Sequence, residues 1–269
     1  MIEKRPARER LDRLVLQAGL APTREKAQAL ILAGRVRVDG VLRDKPGESF
    51  SPSAGLELIG PERPFVSRGG QKLDPVLEPL GVDPAGLKCL DLGCSTGGFT
   101  DVLLRRGASH VTCVDVGRGI LDASLRQDSR VQVHEGVNAR YLTASQLHPP
   151  YDLLVADLSF ISLAVALPAA LELCPTGRAL VLVKPQFELT PRDVGRGGVV
   201  RDPAKRAEAV IRIAEFFVAR SWTVMRVRAS PLAGPKGNRE LFVRADAGAC
   251  ADPPDWSKML AEEIVRDVE

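Results

Sequence analysis

The run CLDLGCSTGGFTDVLLRRG, residues 89–107, leads an apolar strand pattern through a glycine-rich turn into a helical pattern, an arrangement that often seats a nucleotide. Spacing excludes two common phosphate cradles. A dinucleotide fingerprint needs G-x-G-x-x-G and a P-loop needs G-x-x-x-x-G-K-[ST], whereas the glycines here are Gly93, Gly97 and Gly98, followed by Phe99 and Thr100. The turn is also acidic. Asp91 and Asp101 flank it, and Asp115 and Asp157 stand where later strand patterns end. A dianion is repelled by such a set; a cation with an amino-acid tail is not. An acid closing a second strand suits a ribose hydroxyl pair. The residues therefore point to a nucleoside that carries positive charge. Gly93, Gly97 and Gly98 are expected to let the backbone approach it, and Phe99 to supply apolar surface.

A sheet must position these residues. Strand patterns at 88–92, 110–116, 131–135, 151–156, 178–183, 222–228 and 240–244 alternate with helical patterns, which predicts a mostly parallel sheet with helices on both faces. The last two runs are joined by ASPLAGPKGN, too short for a crossover helix, so they should pair antiparallel. The expected fold class is α/β, a Rossmann-like seven-stranded sheet of the methyltransferase type. Ligands of open sheets lie beyond the carboxyl ends of the strands near the switch point. Three proton-handling candidates sit at or near such ends, Asp157, Lys184 and Glu240, and Lys72 precedes the first strand in a helix expected from residue 71. A last helix, in which Trp256, Met259, Leu260 and Ile264 share a face, is assigned no chemistry.

Residues 1–60 read as a separate small α+β domain, with 61–70 as a link and 71–269 as the larger domain. Leu11, Leu14, Val15 and Ala18 share a face of a helix over 9–19. Thr23 then caps a second helix that carries Ala27, Leu30 and Ile31 and ends near Gly34. Val36 and Val38 alternate with Arg35 and Arg37 before an Asp39-Gly40 turn, the mark of a hairpin. The first 60 residues hold 11 Lys+Arg against 8 Asp+Glu, so the whole net charge of +3 lies there, a pointer to a polyanion. Five dispersed cysteines and three histidines exclude a disulfide framework and a zinc site. The amino terminus has no apolar run after its basic residues, and no spanning segment follows. A cytoplasmic location is expected.

The phrase REKAQALILAGRVRVDG resembles the RNA-binding module first described in ribosomal protein S-four, which implies that Arg24, Lys26, Arg35 and Arg37 meet RNA phosphates. In the larger domain, the ordered set Lys72, Asp157, Lys184 and Glu240 resembles that of FtsJ-like ribose 2′-O-methyltransferases. With SRGGQKLD, STGGFTDVLL, DLSFISL, LVKPQFE, GGVVRDP and ASPLAGPKGN, nearly the whole chain is similar to the TlyA family, ribosomal-RNA cytidine 2′-O-methyltransferases with the older label haemolysin. The resemblance implies S-adenosylmethionine as cofactor and ribosomal RNA within ribosomal subunits as partner. No metal is expected, and a monomer is. It makes Lys72, Asp157, Lys184 and Glu240 the catalytic set and places Gly97, Phe99, Asp115, Asn138 and Asp157 at the cofactor. Asp91, Gly93, Ser95 and Gly98 complete the expected cofactor site.

Elementary chemistry agrees with those roles. A ribose hydroxyl is a poor nucleophile until it loses its proton, and a lysine can take that proton only if desolvation or a nearby cation favours its neutral form. Lys184, on an apolar strand with Lys72 as a candidate neighbour, has both influences available; Asp157 can hold its ammonium while Glu240 and Lys72 orient the ribose. The segment 185–203 reads as one long loop whose Arg192, Arg196 and Arg201 contact RNA. One departure stands out: the family's link carries Arg-x-Trp-Val, and here it is Arg63-Pro64-Phe65-Val66. Two other classes of function are weighed: a non-catalytic RNA-binding assembly factor, and a membrane-active haemolysin, which lacks the amphipathic or spanning segment it needs.

Overall fold

A computed structural model of the chain describes residues 8–32, 35–58, 65–195, 197–234 and 237–266. The chain divides into two compact units, Met1–Glu62 and Arg63–Glu269.

The first unit is built from β1 (Glu9–Arg10), α1 (Leu11–Gln17), α2 (Arg24–Leu32), β2 (Val36–Val38), β3 (Val41–Arg43), β4 (Ser49–Phe50) and β5 (Leu56–Leu58). The first helix starts later than its apolar spacing predicts because residues 9–10 pair with 49–50. Thr23 caps α2, its hydroxyl accepting the Lys26 N–H at 3.2 Å; Gly34 lies outside the described residues. Asp39 and Gly40 turn β2 into β3 with φ of 50° and 79°, the left-handed pair that a two-residue hairpin requires. Leu11, Val15, Ala27, Ile31, Val36 and Val38 form the core. Beside it Asp12, fully buried, accepts from Arg10 at 3.1 and 3.0 Å, from Arg24 at 3.0 Å and from Gln28 at 2.8 Å. The Arg10 hydrogen bonds above all hold its carboxyl well below the ordinary carboxylate range.

The second unit opens with α3 (Arg68–Leu77), β6 (Lys88–Leu92), α4 (Gly98–Arg105), β7 (His110–Asp115), α5 (Ala123–Arg126), β8 (Val131–Glu135) and a 3-10 turn (Ala139–Tyr141). It continues through β9 (Leu153–Ala156), α6 (Leu163–Ala166), α7 (Pro168–Glu172), β10 (Arg178–Val183), α8 (Pro185–Glu188), α9 (Pro203–Val218), β11 (Trp222–Ala229), β12 (Leu241–Ala247) and α10 (Trp256–Arg266). α3 begins at Arg68 rather than at 71, because the Ser67 hydroxyl caps it by accepting the Gly69 N–H at 3.2 Å.

The 7-stranded sheet runs β11-β12-β10-β9-β6-β7-β8. The reversed final hairpin is present: β12 is antiparallel to β11. It is also antiparallel to β10, so it is inserted between β10 and β11. β10, RALVLV, shows why the sheet is central. Ala179, Val181 and Val183 face one apolar cluster and Leu180 and Leu182 the other, as both faces of a parallel strand are covered. The chain leaves β6 toward β7 and β8, and leaves β9 toward β10, so the order reverses between β6 and β9. The crevice beyond their carboxyl ends is the place for a ligand.

Candidate active site

Two clefts open at that crevice. One, of 430 Å³, has Gly93, Ser95, Asp115, Asn138 and Asp157 among its walls, with Val116 and Ile120 as apolar surface. The other, of 510 Å³, is bounded by Ser67, Gly69, Gly93, Gly98, Phe99 and Asp157. Asp115 is fixed at the end of β7. Its two carboxylate oxygens accept the Ser95 N–H at 2.8 Å and the Gly117 N–H at 2.7 Å, and each oxygen retains a lone pair for a ribose hydroxyl. Asn138 starts the 3-10 turn by accepting the Arg140 N–H at 3.0 Å. The charged side chains bounding the first cleft are Asp115 and Asp157, both acids. An acid at the ribose position, apolar walls and no cation suit the nucleoside of S-adenosylmethionine and its sulfonium.

Two expected cofactor residues, Asp91 and Gly97, are not among the walls of either cleft. Asp91 bounds neither cleft: it is fully buried, one oxygen accepting the Thr100 hydroxyl at 2.6 Å and the other without a donor among the described residues. Burial pushes its carboxyl up to about 7, against the lowering effect of the Thr100 bond. Asp101 is likewise turned inward, accepting the Val66 N–H at 2.9 Å and pairing with Arg105 at 2.6 Å. Gly97 is required by packing and backbone geometry. Its φ is +96°, and a Cβ there would lie 2.2 Å from Leu125 Cδ1.

The four candidates for proton handling form two ion pairs. Lys184 Nζ lies 2.5 Å from Asp157 Oδ1 and donates to Ser159 Oγ at 2.9 Å; Lys72 Nζ donates to Glu240 Oε2 at 2.6 Å. Topology explains the set. Asp157 follows β9, Lys184 follows its parallel neighbour β10, and Glu240 precedes the reversed β12 on the far side of β10. Three adjacent strands thus bring their functional ends to one edge, and α3 supplies Lys72 from above it. Lys72, expected as a cationic neighbour of Lys184, has its own carboxylate instead. Both lysines are buried.

A third cavity, of 380 Å³, is bounded by Ser159, Phe160, Lys184, Gln186, Phe187 and Glu240, and shares Ser159 and Phe160 with the first cleft. Phe160 is 91% exposed with φ +65°, a strained backbone for a non-glycine residue, and its ring centroid lies 5.2 Å from that of Phe187. Glu188 holds this strand-end loop to α8: it accepts the Ser162 hydroxyl at 2.5 Å and the Leu163 N–H at 2.9 Å. Sequence reasoning missed Ser159, Phe160 and Gln186. The available signal was an aromatic residue within the polar end of DLSF, where core packing does not call for one.

Segment 185–203 is not one long loop. It begins with α8, buries Leu189 and Val200, and is tied by Asn238, which accepts the Val200 N–H at 3.0 Å and donates to the Gly198 carbonyl at 2.7 Å. Arg192 and Arg201 are exposed on it; Arg196 lies outside the described residues. In the first unit Lys26 and Arg37 are exposed, Arg35 is half-buried, and Arg24 is engaged with Asp12. Of the link tetrapeptide, Arg63 and Pro64 lie outside the described residues, while the Phe65 ring packs under the Arg105 guanidinium at 5.2 Å. Among the described residues no cluster of His, Cys, Asp or Glu could hold a metal, and no helix is long and apolar enough to cross a membrane.

Comparison with known proteins agrees with this geometry. The S4 domain model matches residues 9–54 and the FtsJ-like methyltransferase model residues 65–247. The chain is 48% identical over 238 residues to the 16S/23S rRNA (cytidine-2′-O)-methyltransferase TlyA of Mycobacterium tuberculosis, covering 88% of this chain and 89% of that protein. It is 35% identical over 233 residues to hemolysin A of Brachyspira hyodysenteriae, covering 86% of this chain and 97% of that one. A solved structure described as a hemolysin from Streptococcus thermophilus superposes with a TM-score of 0.73 at 34% identity, covering 97% of both chains. The chain belongs to the TlyA family, in which an S4 domain precedes an FtsJ-like methyltransferase domain.

Proposed function

We propose that this protein transfers a methyl group from S-adenosylmethionine to the 2′-hydroxyl of a cytidine in the ribosomal RNA of a ribosomal subunit, acting as a monomer in the cytoplasm. One observation carries the reading: a cavity edged by one member of each lysine–carboxylate pair, Lys184 and Glu240, shares Ser159 and Phe160 with the acidic nucleoside cleft. When bound, S-adenosylmethionine supplies an electrophilic methyl group on a sulfonium. Lys184 takes the 2′-hydroxyl proton, and Asp157 and Ser159 fix the direction of its Nζ. Lys72 and Glu240 orient the ribose from the other side. Holding the oxygen in line with the methyl carbon accounts for much of the rate, because the reaction becomes effectively unimolecular. The proton then on Lys184 leaves past Asp157, whose side chain is 20% exposed.

A ribose within a helix cannot be aligned this way, so the target nucleotide is extruded, and the exposed ring of Phe160 offers its base a stacking face. The S4 unit docks structured RNA through Arg24, Lys26, Arg35 and Arg37, with Arg192 and Arg201 adding phosphate contacts in the larger unit. The test is labelled methyl transfer from S-adenosylmethionine to ribosomal subunits that lack the modification, followed by mapping of alkali-resistant linkages. A discrete cytidine with a methylated ribose is expected. Label on a base, or none in RNA while the donor still binds, would overturn the reading; the second result would favour a non-catalytic assembly factor.

A further inference from the structure

Two side-chain oxygens buried at the 380 Å³ cavity have no hydrogen-bond donor among the described residues, Gln186 Oε1 and Glu240 Oε1. A buried acceptor without a donor is costly, and at a cavity wall a bound molecule can supply the missing N–H or O–H. For Glu240 the answer lies in the ribose. Its other oxygen is committed to Lys72, and Gly234 packs so closely that a Cβ there would lie 2.1 Å from Oε1, which fixes the carboxylate in place. Gln186 has no such role in the proposed chemistry. It lies on the short helix α8 that Lys184 precedes, beside Phe187, whose ring meets Phe160 at the cavity wall. Bound with its 2′-oxygen at Lys184, a nucleotide in this cavity would have its base against the Phe160–Phe187 wall that Gln186 adjoins.

Resting on the function proposed above, we infer that Gln186 is a specificity-determining residue of the target-nucleotide pocket, its carboxamide oxygen accepting an N–H from the extruded base. In cytosine that group is the 4-amino. Uracil presents an acceptor, O4, at the same position, so two oxygens would face each other, and a site built to bond a donor rejects the analogue without one.

The experiment compares the full-length wild type with Gln186→Leu and Gln186→Met, two apolar replacements of similar volume, on unmethylated subunits carrying cytidine or uridine at the mapped position. The wild type is expected to prefer cytidine at least tenfold in kcat/KM. Both variants are expected to lose about 10- to 100-fold on cytidine and to distinguish the two substrates by no more than about twofold. Donor affinity should be unchanged. The melting temperature of the free variants should hold or rise, since the oxygen removed has no partner to lose among the described residues. A retained preference for cytidine, or a melting temperature that falls together with the rate, overturns the inference. A wild type that methylates no cytidine ribose overturns the proposed function and this inference with it, whereas active wild type with unaltered selectivity in the variants overturns this inference alone.

Discussion

The two lysine–carboxylate pairs at the strand ends have the same chemistry and different surroundings. Lys184 has two partners, Asp157 and Ser159, and its acid is partly open to solvent. Lys72 has Glu240, which is fully buried along its side chain and has one oxygen without a donor among the described residues. On the proposed function, the difference separates two tasks. A base that takes a proton in each turnover needs an exit for it, which the open pair has. A group that only orients a ribose gains from being sealed, because nearby dipoles and charges act more strongly away from water.

Removing one partner from each pair should expose the contrast. Glu240→Ala strands the Lys72 ammonium in a sealed site and is expected to lower unfolding free energy in urea by about 3–5 kcal/mol. Asp157→Ala, which leaves Lys184 with Ser159, should cost no more than half of that. Equal losses would erase the distinction.

Asp91 extends the comparison to a sealed acid that has no lysine. Its carboxyl is raised from 3.8 to about 7 by burial, so the folded state holds a proton that the unfolded state has released between those values. The resulting stabilisation is fully present below pH 3.8 and is lost as pH rises toward 7. The contribution changes by up to about 1.4 kcal/mol per pH unit. Asp91→Asn should remove this slope, so urea unfolding at pH 5, 6 and 7 should increasingly favour the variant. Parallel curves would show that Asp91 is ionised throughout.

The smallest effect is expected where charge is exposed. Arg192→Ala with Arg201→Ala should leave the turnover of bound RNA unchanged and reduce the slope of log affinity against log salt by about 0.7–0.9 for each phosphate no longer neutralised. An unchanged slope would leave these arginines without a phosphate role.

Much of this was legible in the chain, because strand periodicity is local. The runs 88–92, 131–135 and 178–183 are strands with those limits. Boundaries shifted where side chains redirect the backbone. Asp115 ends its strand by binding the Gly117 N–H, and the run at 151 starts late because Tyr151 turns in to donate its hydroxyl to Thr112 at 3.0 Å. β12 runs beyond 244 because Arg244 and Asp246 neutralise each other at 2.6 Å. The hairpin gave the direction of β12 but not its second neighbour, and the placing of Glu240 beside Lys184's strand depends on that neighbour. Nothing local announces that Lys72 and Glu240 meet across 168 positions, or that Phe160 stands out at positive φ. Asp91 shows the opposite limit: an acid at a strand end resembles a ligand group, and only the packing of Thr100 against it shows that it faces inward.

The most direct test of the division between the two pairs is chemical rescue of single-turnover methyl transfer. Lys184→Ala should bind S-adenosylmethionine as the wild type does, lose at least about 100-fold in rate, and regain part of it when a small primary amine is added, in proportion to the free base. Lys72→Ala should be slowed but gain nothing from the amine. Turnover of Lys184→Ala at the wild-type rate, or rescue of Lys72→Ala alone, would contradict the account.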